Sequence, residues 1–222
     1  MNLALFDLDH TLLPLDSDHA WGHFTETLGW REAGAFSSAA DRFYEQYKAG
    51  TLDIVEYVRF VTEPLRERDA ATNAAAHARF MAEVIQPAIR PAALDLIAQH
   101  REAGDTLLIV TATNAFVTAP IAQALGVPHL IALDLVMDER GLPTGEIAGT
   151  PSFREGKITR VEQWLHARGL QWTDLSRTSF YSDSINDLPL LERVSHPVAT
   201  NPDARLQAIA TQRAWPILNL FT

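Results

Sequence analysis

The 222-residue chain contains no cysteine. Disulfides are excluded, and so is any zinc site built on thiolates. Positive charge is scarce. Eighteen Lys and Arg stand against 28 Asp and Glu, a formal net charge of −10. Nucleic acid and anionic membranes both require a basic footprint, so neither is expected as a partner. A phosphorylated small molecule stays admissible, provided a metal ion and a lysine make its site locally positive. No apolar run approaches the roughly 20 residues of a membrane-spanning helix. The N-terminus has no basic segment followed by an apolar one, so a cytoplasmic location is expected. Internal repeats and low-complexity tracts are also lacking. What is abundant is apolar residues, 47% of the chain, enough for a substantial core. The length suits one large domain or a core carrying a smaller insertion.

An apolar run, Leu3-Ala4-Leu5-Phe6, stops abruptly at Asp7, with Asp9 and Thr11 at alternate positions after it. Such a run reads as a strand buried on both faces. Two carboxylates at the end of a buried strand are costly unless a cation lies between them, and a divalent metal is the usual remedy. Ordinary turn chemistry also places Asp after strands, so the pattern gains its weight from residues far downstream.

Pro14 interrupts regular structure, and Asp16 and Ser17 are good helix N-caps. From there to residue 86 the apolar residues recur at helical spacing. Trp21, Phe24 and Leu28 form one stripe. Phe36, Phe43, Tyr44 and Tyr47 form a second, closed by Gly50. Ile54, Tyr57, Val58 and Val61 form a third, ending near Pro64. A fourth, with Phe80, Met81, Val84 and Ile85, ends at Pro87. Residues 15–87 are expected to be a helical cap inserted into a core made of residues 1–14 and 88–222. Pro-marked joints flank it, so a hinged lobe and a rigidly packed one are both open.

Beyond Pro91 strands and helices alternate, which implies a parallel sheet with right-handed crossovers. Strands are expected at Thr106–Thr111, His129–Leu133, Ser179–Tyr181 and His196–Ala199, with a further one near Trp215–Leu218. Pro120 lies within a helical pattern, so a late start or a kink is expected there. Leu133–Ile147 suggests a hairpin around Glu139-Arg140-Gly141. The fold class is α/β, a doubly wound parallel sheet with an inserted α-helical cap.

Four clusters fall at strand ends or just before a helix: Asp7/Asp9/Thr11, Thr111-Ala112-Thr113-Asn114, Lys157, and Asp183/Asn186/Asp187. In a parallel sheet the strand ends open on one edge, so these clusters converge. Asp187 also suits an N-cap for the helix opening at Leu188. The chemistry the clusters suit is phosphoryl transfer. A carboxylate can act as nucleophile and form an aspartyl-phosphate. A phosphate dianion will not approach Asp7 unaided, because unit charges ~4 Å apart repel by about 4 kcal/mol at an effective dielectric of twenty. Mg²⁺ between Asp7 and Asp183, with the ammonium of Lys157, converts that repulsion into attraction. The Thr111 hydroxyl and nearby backbone N–H groups, Ala112 included, can hold the phosphoryl oxygens. Asp9 is placed to protonate the leaving oxygen and then deprotonate water.

These motifs resemble the haloacid dehalogenase superfamily of aspartate-nucleophile phosphatases. D-L-D-H-T at Asp7–Thr11, a strand ending in Thr111, Lys157, and D-S-I-N-D at Asp183–Asp187 stand in the family order. A helical insert between the first two motifs resembles the cap of the phosphoserine-phosphatase-like subclass. The resemblance implies Asp7 as nucleophile and Asp9 as general acid and base, with Thr111 and Lys157 on the phosphate. It implies Mg²⁺ on Asp7, Asp183 and the backbone carbonyl of Asp9. Asp187 would orient Lys157 or a metal-bound water. For Asn186 a structural role and a weak phosphate-side contact are both open. By position Asp16 resembles the cap acid that meets the substrate ammonium. His10, Ser182 and Thr111-Ala112-Thr113 depart from the family pattern, the last from the Ser-Gly-Gly typical of phosphoserine phosphatases.

The expected activity is hydrolysis of a small phosphorylated metabolite bearing an amine or hydroxyl, such as phosphoserine or histidinol phosphate. A phosphotransferase or phosphomutase is an alternative, since a lid that excludes water serves those too. A receiver-like signalling phosphoprotein is a third, disfavoured by the helical insert and the tight Asp-x-Asp-x-Thr spacing. The oligomeric state is not legible in the sequence.

Overall fold

The structure, a computed structural model, describes every residue except Ala33 and Thr222, and only the backbone of Lys48. β1 (Asn2–Phe6) is followed by four helices, α1 (Ser17–Thr27), α2 (Ala35–Ala49), α3 (Ile54–Arg66) and α4 (Ala70–Phe80). α4 continues through a π-helical turn, Met81–Ile85, into the single turn α5 (Gln86–Ala88). Then come α6 (Pro91–Glu102), β2 (Thr106–Asn114), α7 (Ala115–Ala124) and β3 (His129–Leu133). The hairpin β4 (Leu135–Met137) and β5 (Pro143–Ile147) precedes α8 (Glu155–His166) and β6 (Arg177–Ser182). The chain closes with α9 (Leu188–Arg193), β7 (His196–Thr200), α10 (Ala204–Gln212) and β8 (Ile217–Leu218). Among the described residues no helix is long and apolar enough to cross a membrane.

Six strands form one parallel sheet in the order β3-β2-β1-β6-β7-β8, and β4–β5 stand apart as an antiparallel pair. The chain winds outward from β1 through β2 to β3, then returns to β1's other side with β6. The crevice at such a reversal is where open α/β sheets hold their ligands. Alternate residues of β1 feed opposite layers, as the period of two requires. Ala4 and Phe6 pack with Leu96, Ile97, Val117 and Ile121. Leu3 and Leu5 pack with Val161, Leu165, Leu190 and Leu206. The sheet is therefore doubly wound, as expected.

The helices between β1 and β2 join this architecture unevenly. Trp21 and Phe24 of α1, Phe80 of α4 and Ile85 belong to the same apolar layer as Phe6 and Ile121. α2 and α3 share an aromatic cluster of their own, with Phe36 stacked on Phe60 at 5.4 Å and Phe43 against Tyr57 at 5.4 Å, while Leu65 of α3 reaches the main layer. α3 also lies along β5, where Arg66 Nη1 donates to the Thr144 carbonyl at 3.4 Å.

α3 ends shortly after Pro64, at Arg66, within the expected range. Proline at this position deprives the Phe60 carbonyl of its helical donor, and Arg31 Nη2 donates to that carbonyl instead. One helix reading is corrected: of the late start or kink expected at Pro120, the late start does not occur. The helix starts at Ala115 because the Asn114 side chain accepts the Val117 N–H and caps it. Tyr44, expected within the apolar stripe of α2, is 52% exposed.

Candidate active site

β1 ends at Phe6, but the Asp7 N–H still donates to the Tyr181 carbonyl at 2.9 Å. That one extra ladder bond fixes the Asp7 carboxyl at the sheet edge beside β6, 7% exposed. The chain then folds over itself. The N–H groups of Thr11, Leu12 and Leu13 converge on the Leu8 carbonyl at 3.3, 2.8 and 3.0 Å. Leu8, Leu12 and Leu13 anchor the turn in the core, and His10 takes a positive φ of 55°. Histidine enters that region more readily than most side chains, which accounts for its presence where the family pattern has a small residue.

The turn delivers Thr11 to the end of β6. Its Oγ1 donates to Asp183 Oδ1 at 3.1 Å and accepts the Asp183 N–H at 3.0 Å. Lys157, in the first turn of α8 and 2% exposed, donates to Asp7 Oδ1 at 2.8 Å and to Asp187 Oδ2 at 2.7 Å. Ser182 Oγ also donates to Asp187 Oδ2 at 2.7 Å. The expectation that Asp187 caps α9 is corrected. Its side chain makes no capping bond and is committed to Lys157 and Ser182.

Asp9 faces the insert. Its Oδ1 accepts the Ser17 N–H and its Oδ2 the Thr113 hydroxyl, both at 2.8 Å. Thr111 is 1% exposed, and its hydroxyl accepts the Thr113 N–H at 3.1 Å. The β2–β3 register shifts between Val110 and Asn114, an irregularity that re-aims Thr111, Ala112 and Thr113 at the edge.

The electrostatics describe a cluster with more carboxylate than cation. Burial pushes the Lys157 ammonium down, but Asp187 and Asp7 outweigh it and hold Lys157 above the ordinary lysine range. The acids are nonetheless raised. Burial lifts Asp7 against the pull of Lys157, with Asp9 adding to the rise. Burial, then Asp7, then Asp187 push Asp183 well up. Burial carries Asp187 to about 6 in spite of Lys157. Asp9 is also raised to about 6, by burial and then by Asp16.

Among the described residues no three His, Cys, Asp or Glu side chains form a ready cation site. Asp7 and Asp183, with the main-chain carbonyl of Asp9, could supply the oxygen ligands that a hard divalent ion accepts while keeping several waters. The surplus negative charge suits the same ion.

Residues 4–192 match the family of haloacid dehalogenase-like hydrolases. The chain belongs to that family. It is an enzyme, a hydrolase. A histidinol-phosphatase of Neisseria meningitidis is 44% identical over 218 residues, which cover 98% of each chain. A solved Bordetella pertussis protein of unknown function is 48% identical, covers 99% of each chain and has a TM-score of 0.93. A substrate-bound phosphoserine phosphatase, 17% identical with 97% and 91% coverage and a TM-score of 0.67, shares the fold.

Of the residues singled out from the sequence, Asp7, Lys157, Asp183 and Asp187 are drawn into one cluster. Asp9 reaches Thr111 only through Thr113. Asp16 sits further out, as the N-cap of α1, with the His19 N–H at 2.8 Å. Asn186 turns away from the acids, toward Arg154 and the Tyr47 carbonyl. Sequence reasoning placed Thr113 in the Thr111–Asn114 cluster but gave it no role, and its hydroxyl is what meets Asp9. It missed the buried set of Asp18, Asn114 and Tyr57, in which Asn114 Nδ2 donates to Asp18 Oδ1 at 3.1 Å.

Proposed function

We propose that this hydrolase is a Mg²⁺-dependent phosphomonoesterase working through a covalent phosphate on Asp7, with Asp9 as general acid and base. The observation that carries it is the buried contact of Lys157 with both Asp7 and Asp187, beside an Asp183 that Thr11 holds in place. One Asp7 oxygen is engaged by Lys157, and the other is the nucleophile. It forms a bond to phosphorus as the ester P–O bond breaks. Asp9 gives its proton to the departing oxygen, and a pKa of about 6 suits a group that must hold and release a proton near neutrality. Water then attacks phosphorus, Asp9 takes a proton from it, and inorganic phosphate leaves Asp7 free. The third N–H of Lys157, the Thr111 hydroxyl and the Ala112 N–H bind phosphoryl oxygens. Asp7, Asp183 and the Asp9 carbonyl would hold Mg²⁺, which supplies the positive charge that lets a phosphate dianion meet a carboxylate.

The substrate we infer carries an ammonium, and histidinol phosphate is the leading candidate. Asp16 and Asp18 stand on the insert's side of Asp9. Burial, then Asp16, carries Asp18 to about 8. The similarity to a histidinol-phosphatase over almost the whole chain supports the same reading. Helices α1–α4 would then serve as the cap, Asp16 meeting the substrate cation.

The test is a panel of phosphate esters, with p-nitrophenyl phosphate, histidinol phosphate and phosphoserine included, assayed with Mg²⁺ and with EDTA. Turnover should require the metal and favour histidinol phosphate over phosphoserine. Asp7→Asn should be folded and inactive, and full activity in that variant would reject the nucleophile. Accumulation of phosphoprotein without turnover would favour the receiver reading.

A further inference from the structure

We propose that Arg154 is a positioning residue, a latch that ties the α2–α3 half of the insert to the loops bearing Lys157 and Asp183. The role rests on the phosphatase reading for its consequence in catalysis, but not for its geometry.

Arg154 adopts φ 52° and ψ −124°, a backbone conformation that costs a residue with a Cβ and that glycine would take freely. Such strain persists only where the surroundings hold it. Here three parts of the molecule do so. The Arg154 carbonyl accepts the Lys157 N–H at 3.0 Å and so begins the helical turn that presents the lysine. The guanidinium reaches Asn186 Oδ1 through Nε at 3.3 Å and Nη2 at 3.4 Å, inside the loop between Asp183 and Asp187. Nη2 also donates to the Gly50 carbonyl at 2.8 Å, across to the end of α2.

The opposite side is built to receive it. Gly50 has φ 74°, and a Cβ there would land on the Arg154 guanidinium. Tyr47, one turn earlier, adds two bonds to the same loop. Its hydroxyl lies 2.9 Å from Ser184 Oγ, and its carbonyl accepts Asn186 Nδ2 at 3.3 Å. α1 and α4 are joined to the core by a wide apolar layer, whereas α2 meets the core loops through these polar bonds and one ring contact, Tyr47 with Phe153 at 6.1 Å. Polar contacts of this kind can be exchanged for water at small net cost, so this edge can open while the other stays closed. Arginine serves because its rigid planar fork presents Nε and Nη2 to Asn186 and Gly50 in a preset geometry, whereas a lysine offers a single point of donation.

The experiment compares wild type with Arg154→Gly, Arg154→Lys and Gly50→Ala, all with Mg²⁺. It reads melting temperature, kcat and KM for p-nitrophenyl phosphate, and amide exchange across residues 46–57. Arg154→Gly should melt at or above wild type, because glycine relieves the strain. Its exchange at Gly50 and Thr51 should nevertheless quicken, and kcat/KM should fall about tenfold, the worth of a lost charge-assisted bond. Arg154→Lys should fall between the two. Gly50→Ala should show faster exchange and lower kcat/KM by displacing the guanidinium from the insert's side. Wild-type exchange in Arg154→Gly would overturn the latch. So would a melting temperature well below wild type, which would mean no strain was held. Should the wild type prove inactive on every ester, the phosphatase reading fails, and the exchange comparison still decides the latch.

Discussion

Asp183→Asn isolates what the carboxylate surplus does. In the metal-free protein Asp183 pairs with no basic side chain among the described residues, and Asp7 and Asp187 both push against it. Thr11 Oγ1 is its hydrogen-bond partner, and the amide oxygen of the replacement can still accept that bond. The substitution therefore removes a badly placed charge and keeps the contact. The benefit has a ceiling. At pH 7 a carboxyl with an ordinary value of 3.8 can escape by taking a proton, which costs about 4 kcal/mol at 1.36 kcal/mol per pH unit. A gain of about 2 kcal/mol, within that ceiling, raises the melting temperature of a protein this size by about 4–8 °C. The pH dependence has a definite sign. The native carboxyl titrates above its unfolded value, so the native state keeps a proton that the unfolded chain has already lost. As pH rises from about 4 through the native pKa, metal-free wild type should lose more stability than the variant, which keeps the raised Asp7, Asp9, Asp18 and Asp187 but lacks the Asp183 contribution. The two curves should converge at the acid end. Mg²⁺ should reverse the order. An ion bound at a hundred times its dissociation constant stabilises wild type by about 2.7 kcal/mol, and the variant should lose that shift together with turnover. Thermal unfolding in EDTA and in Mg²⁺, across pH, reads all of this. A variant less stable than wild type in EDTA, or one that keeps the full Mg²⁺ shift, would refute the reasoning.

Asp9→Asn should lower kcat about 10²–10⁴-fold on an alkyl phosphate, the usual worth of a general acid. In the first step, read as the rate of phosphoprotein formation, the loss should be far smaller on p-nitrophenyl phosphate, whose leaving oxygen needs no proton, and equal losses on both in that step would count against the acid role. Gly156→Ala should overlap the Pro151 carbonyl and push the first turn of α8 aside. Since Lys157 is the next residue, kcat/KM should fall by about a hundredfold or more. An unchanged rate would show that the lysine's place is not set by that close approach.

The Asp7 and Asp183 clusters were legible because strand periodicity and acid placement are local signals, and a parallel sheet brings its strand ends together without further information. The hairpin and the parallel sheet itself came from the same patterns. Tyr47 and Arg154 were not legible. Each is an ordinary residue type, and its meaning lies in a partner more than a hundred positions away, Ser184 for the tyrosine and Gly50 for the arginine. The local rule misled at Pro120, where the Asn114 cap sets the start of α7 well ahead of the proline. At Pro64 the carbonyl that proline leaves without a helical donor is met from a distance by Arg31. For Asn186 no local rule chooses between a structural and a phosphate-side role. Its contacts to the insert only exist once the insert has docked.

Trp21 tests how firmly the insert is joined to the sheet on its other side. Its ring lies 5.2 Å from Phe80 and 5.5 Å from His77 of α4, and 5.6 Å from Phe116 of α7. His77 Nε2 also donates to the Val117 carbonyl at 3.2 Å, so α4 and α7 are bonded as well as packed. Trp21→Ala should cost about 3–5 kcal/mol, as emptying a well-packed aromatic site does. Trp21→Phe should behave differently. The indole Nε1 is buried and has no hydrogen-bond partner among the described residues. Removing an unsatisfied donor returns about 1–3 kcal/mol, which offsets much of the lost ring, and the net change should stay within about 1 kcal/mol. Because the site spans insert and core, Trp21→Ala should still unfold in one urea transition by circular dichroism and by fluorescence. An early, separate transition confined to α1–α4 would mean that the insert folds on its own and that the shared apolar layer is not what holds it.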